Sequence, residues 1–224
     1  MKNLRNKFIM DISVAALLLV GVSNAEAQKV ELGVRFMPTF SSMEFKTYSG
    51  GTIKGKATFS YGAGAFIGFN LTNHFGVQGE VLYSSISQKY TEQDIERKIN
   101  LKYINVPILL SLNTSKAAKV NLNVVAGPQM GISVGSTVQT TAAEGTSTIE
   151  AVLAVKKGDL GVAYGAGLDF GLTSSVRFSV GFRGVFGLID ISDNSKSITT
   201  NSYYILDRTH IKTYSTYLGV SIQF

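Results

Sequence analysis

Eight stretches of this 224-residue chain, each about ten residues long, alternate bulky apolar residues with Gly, Ser, Asn or charged ones, and the last ends on Phe224. The clearest runs from Asp159 to Leu172, where Leu160, Val162, Tyr164, Ala166, Leu168, Phe170 and Leu172 alternate with Asp159, Gly161, Ala163, Gly165, Gly167, Asp169 and Gly171. A period of two describes a strand whose faces differ. Alternation alone does not say which face is wet, because a soluble barrel alternates too, with its apolar set inward. Volume decides. An eight-stranded barrel has an interior just wide enough for side chains to fill, and it cannot hold every Leu, Phe, Tyr and Val of eight strands. The bulky set is expected to point outward, toward lipid.

The start of the chain reads as a secretory signal peptide covering residues 1–27. Lys2, Arg5 and Lys7 form a basic start, Ile12 to Val22 is almost wholly apolar, and Ala25-Glu26-Ala27 offers a small-x-small cleavage site. The mature domain then covers residues 28–224. No other apolar run approaches the ~20 residues of a membrane-spanning helix, so a spanning structure here has to be a closed barrel. With no cysteine, disulfides, thiolate metal sites, a cysteine nucleophile and a lipidated N-terminal cysteine are excluded. The formal charge is +6, yet the Lys and Arg scatter over loops and strand ends with no aromatic platform or helix to organise nucleic-acid binding. The 23 glycines fall mostly on the minority face of the strands, where a narrow lumen needs small residues.

The predicted strands are Lys29 to Thr39, Ser60 to Leu71, Phe75 to Ser85, Asn100 to Leu112, Val120 to Val134, Asp159 to Leu172, Val176 to Leu188 and Lys212 to Phe224. Connections alternate in length. Thr72 to His74, Asn113 to Lys119 and Thr173 to Ser175 are short, whereas Phe40 to Phe59, Ile86 to Ile99, Gly135 to Gly158 and Ile189 to Ile211 are long. Outer-membrane barrels carry short periplasmic turns and long external loops, so the long loops are expected outside. Two aromatic girdles are expected as well: Phe36, Tyr61, Tyr83, Tyr103, Tyr164, Phe186 and Tyr214 near the outer ends, and Phe69, Phe75, Phe170, Phe178 and Phe224 near the inner ends.

Two irregularities stand out. In the strand from Asn100, Leu101 and Tyr103 share one parity while Ile104, Val106, Ile108 and Leu110 share the other, and a bulge near Tyr103 would restore the register. Pro107 and Pro128 lie inside neighbouring strands and cannot donate to a ladder. A gap in the hydrogen bonds between the fourth and fifth strands is expected, accommodated by bulges or serving as a docking or gating seam.

Asn105-Val106-Pro107-Ile108-Leu109-Leu110, Ala126-Gly127-Pro128, Tyr164-Gly165-Ala166-Gly167-Leu168 and the ending from Tyr217 to Phe224 resemble the Bacteroidetes outer-membrane β-barrel family to which the PorT proteins belong. The resemblance spans essentially the whole mature chain and identifies an architecture far better than an activity. It implies an all-β, eight-stranded antiparallel up-and-down transmembrane barrel. Because the family takes its name from a member needed for protease secretion by the type IX system, it also admits a role as an accessory of protein secretion.

The inward face offers Glu31, Arg35, Gln78, Glu80, Asn105, Asn121, Asn123, Gln129, Asp159, Asp169, Arg177 and Arg183. Carboxylates and guanidiniums in a narrow lumen pair, because an isolated buried charge is costly and Arg offers a forked donor set. The expectation is a hydrogen-bonded polar plug; the alternative is a selective solute path lined by Arg177 and Arg183. His74 and His210 are the only histidines, and His210 has Asp190, Ser192, Asp193, Ser195 and Asp207 in its own loop. A triad needs nucleophile, base and orienter in contact, which such a loop does not establish, so no catalytic residue, cofactor or metal is assigned.

Lys102 and Lys212, at outer strand ends, are candidates for contact with the phosphates of lipopolysaccharide. Lys46, Lys54, Lys56, Lys89, Arg97, Lys98, Lys156, Lys157, Lys196 and Arg208 also fall at the outer end. The outer loops are rich in Ser, Thr and Gly, which argues for hydrated loops without a core of their own. Phe224 is a candidate signal for outer-membrane assembly machinery. The function expected is that of a non-enzymatic envelope protein whose barrel anchors exposed loops; secretion accessory and narrow solute channel are the alternatives.

Overall fold

A computed structural model describes residues 29–46, 52–54, 58–92, 95–141, 148–192, 203–205 and 208–224. Eight antiparallel strands close on themselves: β1 (Lys29–Lys46), β2 (Thr58–Asn70), β3 (Phe75–Glu92), β4 (Ile95–Asn113), β5 (Val120–Thr141), β6 (Gly158–Gly171), β7 (Val176–Gly187) and β8 (Arg208–Gln223). Each pairs with its neighbours in sequence, and β1 pairs with β8 to shut the cylinder. This is the expected eight-stranded up-and-down barrel, and a closed cylinder leaves no edge to satisfy in lipid.

The inner turns are short for a local reason. In Leu71-Thr72-Asn73-His74 the Thr72 hydroxyl accepts the backbone N–H groups of His74 (3.1 Å) and Phe75 (3.0 Å). Thr173 does the same for Ser175 and Val176 at 3.3 and 2.9 Å. A threonine at the second position thus substitutes for a glycine-based hairpin turn.

Burial alternates along most of the barrel wall, and the outward set is apolar: Val34, Ile67, Val81, Ile108, Val124, Leu168, Phe182 and Val220 are all exposed. Phe36, Tyr61, Tyr83, Tyr164, Phe186 and Tyr214 point outward at the outer ends as expected, joined by Phe40, Phe59 and Phe182. Tyr103 does not; it is 1% exposed and faces the lumen.

Four further expectations are corrected. Strands reach well beyond the predicted outer ends: β3 and β4 stay paired up to Glu92 and Ile95, so most of the Ile86 to Ile99 connection is ladder rather than loop. Short strands Thr52–Lys54, Thr148–Ala154 and Tyr203–Ile205 extend the sheet further at that end. The bulky residues are not all outward, because Met37, Phe66, Leu82, Ile86, Ile99, Leu101 and Leu109 are buried inside. The outer end does have a core: Ile86, Ile99, Leu101, Tyr103, Val138 and Ile211 meet Val155 and Ile191, which stand just beyond the ends of barrel strands.

The register of the β4–β5 pair shifts between Lys102 and Tyr103, where Lys102 pairs with Gly135 and Tyr103 with Ser133. The extra residue, Val134, lies on β5, so the bulge does not return Leu101 and Tyr103 to the outer face. Every odd residue of β4 from Ile99 to Asn113 stays inward.

All three prolines of the chain interrupt a ladder. Pairing of β4 with β5 skips Ile108 and Leu109 opposite Pro128 and Gly127. Pairing of β4 with β3 skips Val106 and Pro107 opposite Val81 and Glu80, and pairing of β1 with β8 skips Met37 and Pro38 opposite Tyr217 and Thr216. Each proline therefore breaks one seam, the side to which its missing N–H would have donated.

Candidate functional site

The lumen is built in storeys, and the inner one is set by Asp169 and Glu31. Alternation on β6 and β1 turns both carboxylates inward, where they would be costly unpaired charges. Lys116, from the turn between β4 and β5, reaches up between them, its Nζ 2.9 Å from Glu31 and 3.1 Å from Asp169. Asn121 and Asn123 donate to Asp169, each at 2.9 Å, and Ser221 donates to Glu31 at 2.6 Å. Asn121 also accepts the Ser115 N–H and donates to Asn113, tying the turn to the wall. Burial works against the Lys116 ammonium, but Glu31 and Asp169 together outweigh it and hold its pKa above the ordinary lysine range. Arg177 closes the same level by donating to the backbone carbonyls of Lys116 and Ala118, both at 3.1 Å.

The middle storey centres on Glu80. Arg35 of β1 donates to it at 2.5 Å and Arg183 of β7 at 3.0 Å. The Gln78 amide donates to the same carboxylate. Since β3 and β7 lie four strands apart in a ring of eight, the Glu80–Arg183 pair crosses the full width of the lumen. The Tyr217 ring fills the remaining space, with the Arg35 guanidinium 4.4 Å and that of Arg183 6.0 Å from its centroid. It fits only because Gly167 and Gly181 stand behind it; a Cβ at either would run into the tyrosine ring or hydroxyl.

The structure thus places all twelve of the expected inward residues inside the barrel. Glu31, Arg35, Gln78, Glu80, Asn121, Asn123, Asp169, Arg177 and Arg183 share the two storeys, while Gln129 lies higher, beside Asn105 and Asp159. Sequence reading missed Lys116 and Tyr217. A charge count signals the first: four inward carboxylates (Glu31, Glu80, Asp159, Asp169) face three guanidiniums (Arg35, Arg177, Arg183), and Lys116 makes the fourth cation. Parity signals the second, because Tyr217 shares the odd, inward face of β8 with Gly219 and Ser221.

Beside Arg183 lies a cavity of about 40 Å³ lined by polar residues (Asn105, Gln129, Asp159) and apolar ones (Met37, Leu82, Ile86, Ile211). A smaller one of about 10 Å³ sits between the two ionic storeys. Because one water needs roughly 10–15 Å³, these spaces have room for a few waters but not for a solute.

On the outer surface Lys102 is exposed, while Lys212 lies with its Nζ 5.5 Å from the Phe186 ring centroid. Phe224 is 70% exposed and its backbone N–H donates to Val30. His74 Nδ1 lies 3.3 Å from the carbonyl of Asn113, and the Ser192 hydroxyl donates to Asp190 at 2.8 Å. Residues 1–27, the side chains of Lys46, Lys54, Lys56, Arg97, Arg208 and His210, and Asp193, Ser195, Lys196 and Asp207 lie outside what is described. Among the described residues no group of His, Cys, Asp and Glu is arranged to hold a metal ion.

Comparison with known proteins places this geometry. A family model, the outer membrane protein beta-barrel domain, matches residues 24–193. The outer membrane protein OprG from Pseudomonas aeruginosa superposes with a TM-score of 0.59 at 12% identity, over 91% of this chain and 99% of that one. The outer membrane protein AlkL, solved by solid-state NMR in DMPC lipid bilayers, gives 0.50 at 11% identity, over 90% and 92%. At such identities the likeness is one of fold. No curated protein matches the sequence.

Proposed function

Because the chain belongs to the outer membrane protein beta-barrel family, which places it in the bacterial outer membrane, we propose that it is a non-enzymatic barrel that anchors a rigid, strand-built outer rim for envelope integrity or surface contact. The segment 1–27 directs export and is then cleaved, which leaves the mature domain from residue 28. Phe224 serves as part of the assembly signal, and Lys102 and Lys212 face lipopolysaccharide. The observation that carries the reading is the closure of the lumen by Arg35, Glu80 and Arg183 across its full width. A second support is the core at the outer end, which holds Ile99, Leu101, Tyr103 and Ile191 at 1% exposure or less. A barrel that conducts has no use for either; a barrel that displays its rim needs both. The histidine whose side chain the structure describes, His74, is turned to a backbone carbonyl.

The secretion reading rests on the PorT-like motifs, and it makes a different prediction in cells. A deletion strain is expected to become detergent-sensitive with secreted protease activity unchanged, and to recover when the gene is restored. Lost protease secretion with intact detergent resistance would favour the accessory role instead.

A further inference from the structure

Outward-facing residues of β3 and β4 change character abruptly along the pair. Tyr83 and Ile104, directly opposite each other, are 37% and 36% exposed and end the apolar belt on these two strands. The next outward pair is Ser85 with Lys102, then Ser87 with Asn100, then Lys89 with Lys98. Lys102 is flanked by small residues on both sides, Ser85 on β3 and Gly135 on β5, and its stem runs across Gly135. The Ser87 hydroxyl donates to the Asn100 carbonyl oxygen at 2.7 Å, which leaves the Asn100 NH₂ pointing elsewhere with no bond to the described residues. Lys98 and Lys102 have no ion pair among the described residues.

From this column of donors we infer a docking site for the phosphorylated headgroup of an outer-leaflet glycolipid on the β3–β4 face, held by Lys102 and Lys98 with Asn100 between them. Lys98 and Lys102 are four residues apart, about 13 Å along the strand, so together they span a headgroup rather than one phosphate. The lipid source follows from position. Lys102 stands one residue pair above the belt, so an anion that reaches it from the membrane keeps its acyl chains against Tyr83, Ile104 and Val81. A soluble anion gains nothing from that belt. Lys212, expected on the same grounds to touch phosphate, differs in being laid over Phe186, and it is not part of this column.

The inference rests on the outer-membrane orientation proposed above, with the long connections outside. Its test uses the refolded full-length mature barrel in phosphatidylcholine vesicles containing bisphosphorylated lipid A, with lipid A retained per barrel measured after detergent extraction. Wild type is expected to retain about tenfold more than the K98Q/K102Q double variant, while K119Q, at an exposed position in an inner turn, retains as much as wild type. Dephosphorylated lipid A should bind wild type no better than the double variant binds the phosphorylated form. Gel mobility before and after heating identifies the folded fraction on which each value is taken. Equal retention by wild type and double variant overturns the site. Equal binding of inorganic phosphate and lipid overturns its assignment to lipid. Loss in K119Q alone would invert the orientation, and with it the reading of which end is outside.

Discussion

The two ends of the lumen are filled in opposite ways. At the inner end and middle, charges on distant strands meet: Glu31 with Lys116, Asp169 with Lys116, Glu80 with Arg35 and Arg183. At the outer end Ile86, Ile99, Leu101, Tyr103, Val138 and Ile211 pack into one apolar cluster, with Gln88 buried at the same level. Both seal the barrel, but the physical currencies differ. The ionic storeys are directional and tie particular strands in particular registers, whereas the apolar rim gains from area and tolerates any shape that fills it. The inner half has the demanding geometry, since each of its charges is stable only while all its partners stay in place.

The largest expected effect is at Glu80. E80A leaves two guanidiniums facing each other in a closed space, and unfolding of the reconstituted barrel in urea should show a loss of about 3–5 kcal/mol; a loss below 1 kcal/mol would mean that water reaches the middle storey. L101A, in the rim, should cost about 2–4 kcal/mol through a cavity that only partly collapses. The contrast between the two halves sharpens if a second apolar residue rescues L101A, as I99F could by refilling the space, while no single substitution elsewhere rescues E80A.

A smaller effect concerns pH. Lys116 has its pKa raised in the folded barrel, so its stabilising contribution is complete below the ordinary lysine pKa of about 10.4 and is lost as pH rises through the higher folded value. The stability difference between wild type and K116Q should therefore stay constant from neutral pH to the ordinary lysine range and shrink only above it. Y217F should cost least, about 1 kcal/mol or below, because its hydroxyl reaches Asn123 only at 3.5 Å while the ring stays between the arginines.

The barrel itself was legible because period-two alternation is a property of each strand alone, and the inward polar residues followed from the same parity. Lys116 was not, because it sits in a turn where parity has no meaning; only the charge count pointed to it. The rim was misread for a related reason. Volume forbids most bulky residues from a lumen of eight strands, but where strands rise past the bilayer the outward face meets water, and Leu101 and Tyr103 gain by turning in. Their odd parity against Ile104 and Val106 was the visible signal, and it marked a change of environment rather than a bulge in their own strand. Prolines were legible as breaks in pairing, though each faces only one neighbour, so Pro107 interrupts the β3 seam and Pro128 the β4 seam.

Electrical recording on the wild-type barrel in a planar bilayer tests the sealed lumen most directly. With folded protein confirmed in the membrane, the account predicts no steady open level at any holding potential. Uniform, ohmic steps that persist in wild type would contradict it, because ions could pass only by displacing the Arg35–Glu80–Arg183 bridge that defines the closed interior.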